Sequence, residues 1–290
     1  MDTFLQLTLS GLTNGMVYAL VAVGFVVIYK ASDVINFAQG ELLLFGAYLC
    51  FAFVGQFGLP WSLGVLLTML SAAAVGLVIE RTVLRPLIGE PVISMIMVTI
   101  GLSSVLKALV NGIWGPRPRA FPAFLPSGEV QIGSAIVGAD RLLTIVVAAV
   151  LLGLLSLFFK TTREGIAMRA IADDQQAALS MGIRIPRVLA IAWALAAVSA
   201  SIGGILLANI VGVGGEISIV GLKVFPVVIL GGLDSIPGAV VGGAIIGLLE
   251  VYTGGYIGHG LNLIVPYIVL ILVLMVRPYG LFGKEIIERV

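Results

Sequence analysis

A few polar residues sit inside sequence that is otherwise apolar, and each could act on a solute crossing a membrane. Asn14 falls in the first apolar run. Asn36, Gln39 and Glu41 fall where the second begins, Asn209 near the end of the sixth, and Glu250 near the end of the eighth. Polar groups are expensive in lipid, so all six are candidates for a translocation path or gate. Each also has a plain structural reading. Glu41 would favour a helix N-terminus through the dipole, and Asn14 would bond a neighbouring helix. Glu250, like Lys107, would stretch its charged head to the interface. The cluster Asn36 to Glu41 is the strongest candidate for a gate.

Other chemistries lack their residues. Cys50 is the single cysteine, which excludes an internal disulfide framework and a cysteine metal cluster. It reads as a small buried apolar residue. His259 is the single histidine, in a Gly258-His259-Gly260 turn. Alone it makes neither a metal site nor a triad, and it reads as a solvated loop residue. No nucleophile–base set is visible, so an enzyme is not expected. A phosphate-cradling loop needs Gly-Lys-Ser/Thr. Only Lys284 follows a glycine, and Glu285 comes next. The chain is therefore expected to bind no nucleotide in that manner and to need no cofactor. Its energy must come from a partner or an ion gradient.

The segment Lys160 to Arg187 interrupts the apolar pattern completely. Ala167, Met168, Ile171, Ala172, Ala178 and Leu179 recur at helical spacing, with Arg169, Asp173 and Gln176 opposite. This predicts an amphipathic helix ended by Gly182, with Pro186 restarting the chain. Its apolar face lacks the large residues that deep membrane insertion requires. A groove in a soluble partner suits it better.

The elements that carry these residues follow from composition. The chain has 290 residues, 60% hydrophobic and 11% charged, whereas soluble domains carry about 25% charged residues. Part of its solvent must be lipid. A spanning helix needs about 20 apolar residues, and nine segments qualify or nearly do: 6–29, 41–56, 61–79, 92–111, 142–159, 188–210, 220–232, 237–252 and 261–276. The expected fold is an all-α polytopic membrane bundle of about nine spans (eight to ten), one permease domain over 1–290. Short or broken helices are expected in the Gly-rich C-terminal half. The start of the chain shows no basic leader, so the first span is expected to persist.

Lys30, Arg81, Arg85, the five basic residues of 160–187, Arg277, Lys284 and Arg289 fall in one set of loops; Arg117, Arg119, Arg141 and Lys223 fall in the other. This asymmetry predicts a cytoplasmic 160–187 loop, a cytoplasmic C-terminus and an outside N-terminus. The 112–141 segment is then extracytoplasmic and, with Pro116, Pro118, Pro122 and Pro126, irregular. Gly238-xxx-Gly242 and Gly243-xxx-Gly247 predict close helix packing. Asp234 or Ser235 should cap the next helix, with Pro237 in its first turn. A net charge of +1 gives no reason to expect nucleic acid.

Gln176-Ala177-Ala178-Leu179-Ser180-Met181-Gly182 is similar to the E-A-A-x-x-x-G coupling motif of ABC importer permeases, with Gln176 replacing the glutamate. Asn14 to Leu20, Ile35 to Glu41, Arg163-Glu164-Gly165 with Arg169-Ala170, and Leu230 to Gly238 resemble the branched-chain amino acid permeases, in order and over nearly the whole length. Within that family the chain most resembles the smaller, H-type member of the paired permease subunits. The resemblance implies a bacterial-type inner-membrane protein. It also implies three kinds of partner: a second permease subunit, two ATP-binding subunits and an extracytoplasmic solute-binding protein. By the same resemblance Arg163, Glu164, Gly165, Arg169, Asp173, Ala177, Ala178 and Gly182 would serve ATPase docking. Branched-chain or other small apolar amino acids are the expected solutes, and related permeases for urea and other small solutes share much of the pattern. An ion-coupled secondary transporter would instead show acidic or histidine relays inside the spans. The sequence places no Asp inside a span and glutamates only at interfaces.

Overall fold

The computed structural model describes residues 2–283 apart from 123, 127, 133, 134 and 259. His259, Lys284, Glu285 and Arg289 lie outside the described residues. The helices are α1 (Asp2–Ser32), α2 (Gln39–Cys50), α3 (Trp61–Ile79), α4 (Val92–Trp114), α5 (Ala139–Thr161), α6 (Arg163–Asp173), α7 (Gln175–Ser180), α8 (Ile185–Val211), α9 (Glu216–Gly231), α10 (Ile236–Tyr256) and α11 (Val265–Val276). Six are long and apolar enough to cross a membrane: α1, α3, α4, α5, α8 and α10. The other expected spans are shorter. α2 has 12 residues and is prolonged by a wider π-helical turn, Phe51–Gln56. α9 has 16 residues and α11 has 12.

Local chemistry fixes the ends. Asp33 closes α1 in the left-handed region, φ 53°, a conformation Asp tolerates better than most residues. Ser235 caps α10, its hydroxyl accepting from Gly238 N at 3.0 Å, and Pro237 sits in the first turn. The 112–141 segment departs from an irregular loop. α4 runs to Trp114, and a hairpin of β1 (Glu129–Ile132) and β2 (Ala135–Gly138), with Val130 opposite Val137, leads into α5. The prolines all precede residue 127, which leaves 129–138 free to pair.

Packing is concentric. Within its most apolar window α1 is 89% buried and α8 72%, against 17% for α4 and 22% for α5. The outer helices expose large apolar side chains such as Leu66, Ile100, Leu109, Val150 and Leu154. Lipid, not water, is the solvent for which such a surface is stable. α1 and α8 cross antiparallel at the centre: Gly203 lies beside Val17 and Val21, and Gly24 beside Ser199. The remaining pairings mirror each other about that crossing. α1 packs on α10 and α9 as α8 packs on α3 and α2, and α2 meets α4 as α9 meets α11. The bundle is therefore arranged as two four-helix halves of opposite direction, with α5 to α7 between them.

Glycine makes the central contacts. Gly238 and Gly242 turn one side of α10 to α9, against Gly231 and Val227. Gly243 and Gly247 turn the other side to α1, against Gly15 and Gly11. A methyl group at Gly243 would lie 2.5 Å from Gly15 O. The paired small-residue motifs thus serve two different interfaces.

Candidate functional site

The start of α2 is a buried polar knot. The chain leaves α1 at Asp33 and stays unwound to Ala38. Asn36 Oδ1 accepts from Ala38 N at 3.0 Å, closing a turn just before α2. Asn36 Nδ2 donates to Gln39 Oε1 at 3.1 Å, and Gln39 Nε2 donates to Ala196 O of α8 at 3.2 Å. Both side chains are fully buried. Gln39 reaches this place because Gly24 leaves room for its amide. Phe37 N donates to Thr99 Oγ1 of α4 at 3.3 Å. Above the knot, Phe225 of α9 meets Phe37 and Phe25, with ring centres 5.1 and 5.0 Å apart. One face of a loop, two helices and an aromatic plug therefore converge.

Glu41 follows two residues after Gln39. Its Oε2 is buried and has no hydrogen-bond partner among the described residues. Asn209 stands apart, near the end of α8, with Nδ2 donating to Ile205 O at 2.8 Å and Oδ1 buried without a partner. Asn14 is half-buried on α1, one helical turn before Tyr18.

Glu250 does not stretch to the interface. It is 6% exposed on α10 and holds two partners: Tyr18 Oη donates to its Oε2 at 2.6 Å, and Lys223 Nζ lies 2.5 Å from its Oε1. Lys223 is not a loop residue. α9 begins at Glu216, so Lys223 lies two turns inside it. A lysine on the adjacent helix compensates the buried carboxylate. The sequence carried a signal for the pair, opposite charges in consecutive apolar runs, but Tyr18, Thr99 and Ser218 carried none.

The 160–187 segment forms two helices rather than one. Asp174 breaks the run: its Oδ1 accepts from Ala177 N at 2.9 Å and caps α7. Thr162 caps α6, accepting from Gly165 N at 3.0 Å. Gly165 is buried, and a Cβ there would lie 2.5 Å from Phe158 O, so this glycine lets α6 fold back on α5. Met168, Ile171 and Ala178 face the bundle. Glu164 pairs with Arg187 at 2.5 Å and ties α6 to α8, an exposed pair of small value. Arg163, Arg169, Asp173, Ala177 and Gly182 are exposed. Gly182 takes φ +80° with open space around it, and Ile183 N returns to Ala178 O at 3.1 Å. This is a glycine-terminated helix end.

Beside α6 a cavity of about 530 Å³ opens between Tyr29, Asp33, Asp173, Leu233, Asp234 and Tyr279. Burial pushes the Asp33 carboxyl above its ordinary value.

The family described as "Branched-chain amino acid transport system / permease component" matches residues 7–274. The chain belongs to this branched-chain amino acid permease family. It is 33% identical to the high-affinity branched-chain amino acid transport system permease protein LivH of Salmonella typhimurium, over 99% of this chain and 98% of that one. The corresponding protein BraD of Pseudomonas aeruginosa is 32% identical over 99% and 98%. A probable LivH of Methanocaldococcus jannaschii is 30% identical over 92% and 88%. The family match takes in the α1–α8 crossing, the Asn36–Gln39 knot and the α6–α7 pair together.

Proposed function

We propose that this permease is the membrane-spanning subunit of an ABC importer that moves branched-chain or other small apolar amino acids into the cell. Separate ATP-binding subunits dock on 160–187, a second permease subunit completes the path, and an outside binding protein delivers the solute. The end of the bundle bearing α6 and α7 is cytoplasmic, with the C-terminus inside and the N-terminus outside, in keeping with the basic residues gathered there.

The observation that carries this reading is the exposed face of α6–α7. Ile166, Leu179 and Met181 are 49%, 52% and 83% exposed, beside Arg163, Arg169 and Ala177. An apolar strip rimmed by charge, on a pair of short helices outside the spans, suits a groove in a soluble protein. Glu164, Gly165 and Ala178 act inward and hold the pair to the bundle. ATPase closure would move α6–α7 as a body and alter the contact of α2 with α9 at the Asn36–Glu41 gate.

Gly182→Leu tests the docking role. The new side chain has space, but its backbone conformation costs about 1–2 kcal/mol, so the turn presenting Leu179 and Met181 must shift. The expected result is normal membrane insertion and continued ATP hydrolysis, with amino-acid uptake at least tenfold lower. Unchanged uptake would remove the docking role from this turn.

A further inference from the structure

A cavity of about 230 Å³ opens where α1, α5 and α6 meet the turn into α10. Its lining includes Lys30, Lys160 and Arg169, each from a different helix, and Asp234. Lys30 lies two residues before the end of α1 and Lys160 one before the end of α5. The cavity therefore sits at the boundary between hydrocarbon and water. Asp234 is the one carboxylate in its lining among the described residues. Lys30 and Asp234 also line the cavity of about 530 Å³, beside Asp33 and Asp173, whose carboxylates are placed to offset Lys30. Lys160 and Arg169 do not line that larger cavity, and neither is in an ion pair with a described residue. They carry the excess positive charge of the smaller one.

α5 leads from this cavity into the hydrocarbon. Lys160, Ser156, Gly153 and Ala149 recur every three or four residues and share one helical face. Ser156 lines the cavity. Gly153 and Ala149 are exposed, and nothing lies within 4 Å of a methyl group added at Gly153. Leu154 and Leu157 rise beside this strip, 57% and 55% exposed. A shallow apolar strip thus runs up to two cations at the membrane boundary.

We propose that this cavity binds the headgroup of an anionic phospholipid, its phosphate between Lys160 and Arg169 and an acyl chain along the Gly153 face of α5. The two halves of the site match the two halves of such a lipid. Arg169 offers its planar fork to the phosphate and Lys160 a point charge. Free phosphate would use the cations but leave the strip unused. A headgroup held by both residues joins the last span before 160–187 to α6 across the turn at Thr162, and so braces the helices that bear the docking strip. The inference goes beyond the transport reading and does not depend on the solute.

The test measures binding of tritiated dioleoyl-phosphatidylglycerol to the complete detergent-solubilised complex. Unlabelled phosphatidylglycerol is expected to displace it at least fivefold more readily than dioleoyl-phosphatidylcholine, and millimolar inorganic phosphate should leave it bound. Lys160→Gln and Arg169→Gln should each weaken binding about fivefold, the usual share of one basic residue near an anionic lipid. Both residues are exposed, so melting temperatures should not change. Lys160→Arg should retain binding, and Arg81→Gln, an exposed cation elsewhere at the same end of the bundle, should change it less than twofold. Equal displacement by the two lipids, or unchanged binding in both charge-removing variants, would overturn the proposal. Release by inorganic phosphate would make this a free-anion site and overturn the lipid assignment. Binding to the permease subunits alone that is lost in the complete complex would give the cavity to a docked subunit and overturn it as well. None of these results bears on leucine uptake, so the importer reading stands or falls separately.

Discussion

Glu250→Leu is expected to destabilise the permease by about 3–5 kcal/mol, the range for removing one partner of a buried ion pair. The substitution leaves Lys223 inside α9 with no counter-charge and Tyr18 with no acceptor. The side chains are only 21% and 7% exposed, so water compensates little. The pair itself adds little net stability, since its attraction mainly offsets desolvation. Lys223→Met together with Glu250→Leu should therefore recover most of the loss, and the double-mutant cycle should give a coupling of opposite sign to the single effects. The folded fraction against denaturing detergent, measured for both singles and the double, checks this. If the two single losses simply add in the double, Lys223 and Glu250 do not compensate each other's charge.

Gly243→Val should be comparably severe for a different reason. Its Cβ would stand 2.5 Å from Gly15 O and 3.0 Å from the Ala19 Cβ. No flexible side chain is available to give way, so α10 must move off α1 as a whole. Overpacking costs about 1–3 kcal/mol where side chains can adjust, and this contact belongs at or above the top of that range. Gly153→Ala on α5 is the control: nothing lies within 4 Å of its added methyl, and it should be neutral or slightly stabilising. Equal stability of the two variants would show that glycine does not set the α1–α10 distance.

The contrast between these sites marks what a sequence can carry. Span positions were readable because hydropathy is local: the run at 61–79 coincides with α3, and the Ser235–Pro237 cap reads directly from residue types. The small-residue motifs announced close packing, but not that Gly238 and Gly242 face α9 while Gly243 and Gly247 face α1. The break at Asp174 was hidden, because a capping aspartate looks like any surface acid on a polar helix. Lys223 was misplaced because Gly212 to Gly215 obscured where α9 begins. The Lys223–Glu250 pair shows in the sequence only as opposite charges in consecutive apolar runs, and spacing alone does not say that they meet. The mirrored halves escaped notice for a similar reason: their corresponding helices differ in length, as α3 and α10 do in their turns and extensions.

ATP hydrolysis by separate subunits, rather than an ion gradient, is expected to power transport. The permease pair is to be reconstituted with and without its ATP-binding subunits, and labelled leucine accumulation followed with binding protein outside and ATP supplied on the α6–α7 side. Accumulation is predicted only when ATP, the ATP-binding subunits and the binding protein are all present. It should persist when ion gradients are collapsed. Leucine accumulation by the permease subunits alone, driven by an imposed proton or sodium gradient, would contradict the account at its centre.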